Sequence, residues 1–269
     1  MRCFVFGASG LVGSACCRAA ARRGFEVTAF HNRTPLAPAA GETVRMIDVT
    51  DREAVERAVL DAWPDVVVNA AAVSSPGAVD AEPERSEKVN VAFPAQLALL
   101  ARHLGVGYLH FSTDLVFDGT EGSYRSTSLP MPTGLYGQQK LLAEREVLAA
   151  NAGGAVVLRI TLVNGNSVTG ARSPHERILA EVAAGRRPRL FADEMRQPVS
   201  ADSAAEAAVE LLERGDLHGL FHWAGSEVVS RYELGRRILE RFGLDRIHLE
   251  EARASDDPVF TDRPRNLRF

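Results

Sequence analysis

Lysine is nearly absent from this chain of 269 residues: of its 31 basic side chains only Lys88 and Lys140 are lysines, and the other 29 are arginines. Where a basic group needs only charge and solvation the sequence writes Arg, so each remaining Lys asks for a reason of its own. Cysteine is scarce too. Cys3, Cys16 and Cys17 lie near the start with no CxxC spacing, which excludes a disulfide framework or a cysteine zinc site and fits a reducing cytoplasm. No Lys/Arg-rich block exists, and a net charge of -4 argues against nucleic acid or an anionic membrane surface as partner, since both demand a concentrated positive face. Long apolar runs are missing as well. The one after Arg2 is too short for a signal-peptide core, and no later stretch approaches membrane-spanning length. A soluble globular chain that handles small molecules is left.

What is present is a rhythm. Short runs rich in Val, Phe and Ile alternate with longer Ala/Leu/Arg/Glu segments, the pattern of a doubly wound parallel α/β sheet. Strands are expected at Cys3–Phe6, Glu26–Phe30, Val44–Ile47, Val66–Asn69, Tyr108–Ser112 and Val156–Ile160. Helices are expected at Leu11–Arg23, Arg52–Ala62, Glu84–Leu104 and Leu135–Ala150. After Ile160 the rhythm loosens, with further helices at Glu176–Ala184, Ser203–Arg214 and Arg231–Phe242 and a strand at Leu220–Trp223. This predicts a Rossmann-type dinucleotide-binding domain from residues 1–163 and 197–228, and a smaller interleaved substrate-binding lobe from 164–196 and 229–269.

Gly7, Gly10 and Gly13 form GxxGxxG between the first strand and the first helix, where backbone must come close to a pyrophosphate. Their neighbours Ser9, Leu11 and Val12 join them as cofactor contacts. At the end of the second strand, where NAD-preferring sites keep an acid for the ribose, the chain reads His31, Asn32, Arg33. Arg33 is suited to a 2′-phosphate, which points to NADPH, with NADH as the second option. Asp48 and Val49 close the third strand at the adenine end. Asn69, Ala70, Ala71 and Ala72 keep the end of the fourth strand small.

Tyr136 and Lys140 stand four apart on a predicted helix and share a face. Four Tyr and two Lys placed at random would give about 0.03 such YxxxK matches. A phenol that exchanges protons near neutrality needs a lowered pKa, and a compact ammonium beside it is expected to provide that. Ser112, Thr113 and Asp114 follow the fifth strand, at the sheet edge where such folds bind ligands.

GASGLVG at Gly7–Gly13, FSTDLVFDG at Phe111–Gly119, YGQQKLLAE at Tyr136–Glu144 and RPRN at Arg263–Asn266 together resemble the extended short-chain dehydrogenase/reductases, most of all the dTDP-4-dehydrorhamnose reductase family. The resemblance implies a catalytic triad of Thr113, Tyr136 and Lys140, and reduction of C4 of a nucleotide-linked 4-keto-6-deoxy sugar with Tyr136 as proton donor. It implies cofactor contacts from the glycine loop, Ser112 and Asn90, the last beside the Lys, and substrate contacts from Asp114, Val116, Arg196 and Arg263. No metal is required: His218 and His222 lack a completing carboxylate.

Some residues depart from that pattern. Leu115 follows Asp114 where the related 4,6-dehydratases keep an acid, and Leu162 stands where the reductases often place a Trp. Among Arg186, Arg187, Arg189, Arg196, Arg231 and Arg263, about two are expected on a substrate diphosphate and the others in solvent. A 4-epimerase, or a non-catalytic regulatory subunit of methionine adenosyltransferase with the same fold, stays open as an alternative, as does the choice of monomer or homodimer.

Overall fold

The run CFVF after Arg2 is buried along its whole length in the computed structural model, which describes residues 1–39, 41–256 and 263–269. A strand apolar on both faces belongs inside a parallel sheet covered by helices on each side. In chain order the first elements are β1 (Arg2–Phe6), α1 (Leu11–Arg22), β2 (Glu26–His31), β3 (Glu42–Met46), α2 (Arg52–Ala62) and β4 (Val66–Asn69). Then come α3 (Pro76–Ala81), α4 (Pro83–Glu87), a π-helical turn at Lys88–Ala92, α5 (Phe93–Leu104), β5 (Gly107–Thr113), α6 (Leu135–Ala150) and β6 (Ala155–Ile160). The remainder comprises β7 (Val163–Asn164), α7 (Pro174–Ala183), β8 (Arg189–Phe191), β9 (Met195–Arg196), β10 (Val199–Ser200), α8 (Ala201–Glu213), β11 (Gly219–Trp223), β12 (Val229–Ser230), α9 (Arg231–Arg241) and β13 (Glu250–Ala252).

Seven strands pair in parallel in the order β11-β6-β5-β4-β1-β2-β3. Chain direction across the sheet reverses between β1 and β4, and ligands of such sheets sit at the carboxyl ends of the strands flanking that reversal. One face is covered by α1 and α8, whose small buried residues (Ala15, Ala19, Ala204, Ala208) let the helices lie close over Val5, Val68 and Leu158. The other is covered by α2, α5 and α6 over Phe6, Phe30, Val67 and Tyr108. On the outer side of the α1/α8 pair, Arg18 meets Asp202 at 2.7 Å and Arg22 meets Glu206 at 2.5 Å, both about half exposed. Such pairs contribute at most about 1 kcal/mol each, so this arginine use is mainly surface chemistry.

Beyond the sheet, β8 pairs with β13, and α7 and α9 enclose Ile178, Ile238, Leu239 and Leu249. α7 starts with a capping box in which Ser173 and Glu176 satisfy each other's backbone N–H. Among the described residues no helix is long and apolar enough to cross a membrane.

The segment 84–104, expected as one helix, is three pieces. Pro94 has no N–H for the carbonyl of Asn90, so the ladder slips and the N–H of Phe93 reaches the carbonyl of Lys88 through a π turn. α3, with Pro76 at its first position, was not expected; six residues are too few to show a helical period.

Candidate functional site

Gly7 lies at φ 80° with its N–H on the Phe30 carbonyl, and a Cβ there would stand 2.5 Å from the Ala71 nitrogen. A Cβ on Gly13 would collide with the Gly7 carbonyl. The loop therefore packs backbone on backbone and tolerates no side chain at either position. α1 follows Gly10, which offers no side-chain cap, and has no acid in its first turn, so its leading N–H groups and positive end face a cleft of about 250 Å³. Of the residues expected on the cofactor, Gly7, Ser9, Gly10, Asn32, Arg33, Asp48, Val49, Ala70, Ala71 and Ala72 line that cleft, and Arg85, Val89 and Arg172 join them unforeseen. Hydrogen bonds from the Thr50 N–H (2.9 Å) and hydroxyl (2.8 Å) hold the Asp48 carboxyl below its ordinary pKa, helped by Asn32 and Arg33. A hollow of about 290 Å³ lies at the amino-terminal edge of the sheet by Gly107 and Val156, the wrong edge for such folds.

Beside the cleft, β5 ends at Thr113 and α6 brings Tyr136 and then, one turn on, Lys140. The Thr113 hydroxyl donates to Asp114 Oδ1 at 3.2 Å and accepts from the Leu115 N–H at 3.2 Å. Asp114 is buried, its Oδ2 has no partner, and burial pushes its pKa up to about 6 against the pull of Arg196. Tyr136 is half-buried, and burial together with the Asp114 charge raises its pKa. Lys140 is 2% exposed, and burial pushes its pKa down to about 7, opposed by Glu144.

The expectation that an ammonium lowers the phenol is thus corrected. Lys140 Nζ turns to the Phe111 carbonyl at 2.6 Å and to His110 Nε2 at 2.9 Å, and burial and Asp114 decide the state of Tyr136, which holds its proton. Other expectations also change. Val116 is fully buried with Phe117, Tyr124 and Leu267, so its side chain offers nothing to a substrate. Ser112 gives its hydroxyl to Glu144 at 2.5 Å, away from the cleft. Leu11 and Val12 turn their side chains to the core and leave only their backbone N–H groups, the first of α1, for the cleft. Asn69 is buried and bonds the Ala71 N–H, and Asn90 is fully buried, clasping both backbone groups of Val73 and the Gln139 side chain; neither touches Lys140. Arg196 is committed to Glu194 (2.8 Å) and to the Pro264 carbonyl (2.8 Å), so it fastens the C-terminal segment. Arg186, Arg187 and Arg189 reach Glu181, Leu249 and Glu250. Arg263 is exposed and, with Arg177 and Arg196, crowds half-buried Arg231; burial and these like charges lower the pKa of Arg231 while Glu194 opposes them.

Three residues that matter here were not anticipated. His110, Glu144 and Arg159 lie inside apolar runs or on a helix face, and their burial is the signal. A polar residue in the middle of YLHFS or VVLRI has to find a partner across the sheet. His222, read as a plain histidine, stacks on Phe269 with centroids 3.8 Å apart, and burial with the Arg159 charge pushes it down to about 4. Among the described residues no group of His, Cys, Asp or Glu could hold a metal ion.

A doubly wound parallel sheet, a glycine cradle at its reversal point and a Tyr/Lys pair one turn apart beside it define the architecture of an extended short-chain dehydrogenase/reductase. The chain belongs to the family described as RmlD substrate binding domain, whose model matches residues 1–269. It is 31% identical to methionine adenosyltransferase 2 subunit beta of Xenopus laevis, over 98% of this chain and 79% of that protein. It is also 31% identical to the probable low-salt glycan biosynthesis reductase of Haloferax volcanii, over 98% of this chain and 88% of that one. A solved structure of a hypothetical dTDP-4-dehydrorhamnose reductase from Sulfolobus tokodaii superposes with a TM-score of 0.84 at 28% identity, covering 100% of this chain and 91% of the other.

Proposed function

We propose that this protein is an NADPH-dependent reductase of a nucleotide-linked 4-keto-6-deoxy sugar. The observation that carries the proposal is the placement of a proton-holding Tyr136 with Lys140 on α6, and of Thr113 at the end of β5, beside a cleft where Gly7 admits no Cβ. The likeness to a reductase of Haloferax volcanii and to dTDP-4-dehydrorhamnose reductase supports it.

The cleft residues fit a dinucleotide: Gly7, Gly10 and the start of α1 for the pyrophosphate, Asp48 and Val49 for the adenine end, Arg33 for a 2′-phosphate. When bound, the nicotinamide supplies the hydride. Tyr136 holds at Oη the proton that the substrate oxygen takes up as its carbonyl becomes a hydroxyl, and a raised pKa keeps that proton in place beforehand. Thr113, on the adjoining strand end, orients the same oxygen by exchanging its bond to Asp114 for one to substrate. Arg231, with Arg177, Arg196 and Arg263 near it and Glu194 as the counter-charge, is the basic group offered to a substrate diphosphate, and it sits in the lobe assigned to residues 164–196 and 229–269, of which 257–262 lie outside the described residues.

The test is NADPH and NADH oxidation against a panel of 4-keto-sugar nucleotides. Turnover of at least one, faster with NADPH, is expected. NADPH binding without turnover on any, together with association with a methionine adenosyltransferase, would favour the regulatory reading that the likeness to subunit beta motivates.

A further inference from the structure

A line of hydrogen bonds runs inward from the cleft wall to Lys140, and its direction is fixed from the cleft end. The Ala71 N–H donates to Asn69 Oδ1 at 3.1 Å. Turned over, the Asn69 amide would set its own NH₂ against that N–H, so Nδ2 faces inward. There it lies 3.1 Å from His110 Nδ1 and 3.5 Å from the Tyr108 hydroxyl, whose own hydrogen goes to the Pro94 carbonyl at 3.2 Å. Both inner groups therefore receive. A ring nitrogen facing a donor carries no hydrogen, which leaves the single imidazole proton on Nε2, 2.9 Å from Lys140 Nζ. Nζ also lies 2.6 Å from the Phe111 carbonyl, which can only accept. An ammonium has no lone pair for the Nε2–H, whereas an amine has one lone pair and two hydrogens: the pair receives His110, one hydrogen goes to Phe111, and one is left over.

We propose that His110 is a positioning residue, protonated on Nε2, that holds Lys140 as an uncharged amine in the ligand-free protein. The functional consequence rests on the reading of Lys140 as part of the reductive site; the tautomer does not. Turning the Asn69 amide over reverses the two bonds of His110: it then donates from Nδ1 to Asn69, accepts at Nε2, and Lys140 becomes an ammonium. One amide flip and one proton separate the two states. Burial favours the amine at this position and Glu144, one turn further along α6, favours the ammonium. The Glu144 charge is engaged by Arg159 of β6, while Asp114 follows β5 and Tyr136 precedes Lys140 on α6; among the described residues Lys140 is the titratable group that acts on His110. A group bound in the cleft that took the Ala71 N–H would release Asn69 to turn, so occupancy of the cleft wall and the charge on Lys140 are linked.

The test uses the full-length ligand-free protein with ¹⁵N-labelled histidine, followed by long-range ¹H–¹⁵N imidazole spectra between about pH 8 and about pH 9.5, above the Lys140 pKa of about 7. His110→Gln, or loss of the same signal in Asn69→Asp, assigns it among the seven histidines. The wild type is expected to show the Nε2–H tautomer with no titration in this range. Asn69→Asp replaces the donor by a carboxylate that only accepts, and is expected to switch His110 to the Nδ1–H tautomer. An Nδ1–H tautomer or a titrating ring in the wild type would overturn the proposal, as would an unchanged tautomer in Asn69→Asp. Failure of NADPH to bind would overturn the cofactor reading and leave these spectra to decide this one.

Discussion

Glu144 and Arg159 face each other inside the molecule as a two-pronged ion pair, with Nε and Nη2 at 2.8 and 2.6 Å from the two carboxylate oxygens and both side chains at most 3% exposed. Ser112 adds a third bond to the carboxylate, and Arg159 lies 5.0 Å over the Phe117 ring and 3.3 Å from His222. The pair ties α6, which carries Tyr136 and Lys140, to β6 and to the end of β5. Removing one partner leaves a buried charge uncompensated, so Glu144→Gln is expected to lose about 3–5 kcal/mol in urea unfolding. The double variant Glu144→Leu with Arg159→Met is expected to lose less than either single one, which a double-mutant cycle measures.

Tyr136→Phe removes the proton without changing the ring. NADPH affinity is expected to stay within about twofold while turnover on a keto-sugar nucleotide falls by about 10²–10⁴, the usual share of a general acid. Steady-state kinetics and fluorescence titration of NADPH separate the two effects, and unchanged turnover would sink the proposed role.

Asp114, pushed up to about 6, binds a proton in the folded chain at pH values where the unfolded chain, near the ordinary 3.8, has already lost it. Stability therefore falls as pH rises through this window. Asp114→Asn is expected to be more stable than the wild type by about 2–3 kcal/mol at pH 8, with the gap closing below about pH 4. Melting both proteins across that range checks the sign.

Lys140 runs the other way. Its folded pKa is pushed down to about 7 from the ordinary 10.5, so between these values the unfolded chain binds the extra proton and stability rises with pH. Lys140→Met abolishes this slope, and the stability difference between the two proteins over about pH 7 to 9.5 is expected to grow in favour of the wild type. Lys140→Arg keeps a charge that cannot be shed in a site only 2% exposed. It is expected to lose stability, and turnover along with NADPH affinity. Full retention of all three would show that lysine at this position is incidental.

Arg33 is exposed on the cleft wall. Arg33→Ala is expected to weaken NADPH by about tenfold and leave NADH nearly unchanged, as fits one charge-assisted contact to a 2′-phosphate. Equal losses for both cofactors, by fluorescence titration, would remove that assignment.

Much of this protein was decided locally. Strands β1, β4, β5 and β6 are legible because runs such as VVVN and VVLRI are apolar on both faces, and a helical i, i+4 spacing is enough to put Tyr136 and Lys140 on one side of α6. The scarcity of lysine separates as well: Lys88 is exposed, and Lys140 is buried among groups that need a compact nitrogen. The partners of the polar residues could be decided only by the folded chain. Glu144 with Arg159, His110 with Asn69 and Arg196 with Pro264 join positions 15, 41 and 68 residues apart. Sequence spacing carries no information about such pairs; they follow from which strands the sheet order makes neighbours. The surroundings of Lys140 belong to this second class, because burial, His110 and the Phe111 carbonyl of β5 act on it beside the nearer Glu144, and no local pattern records the first three.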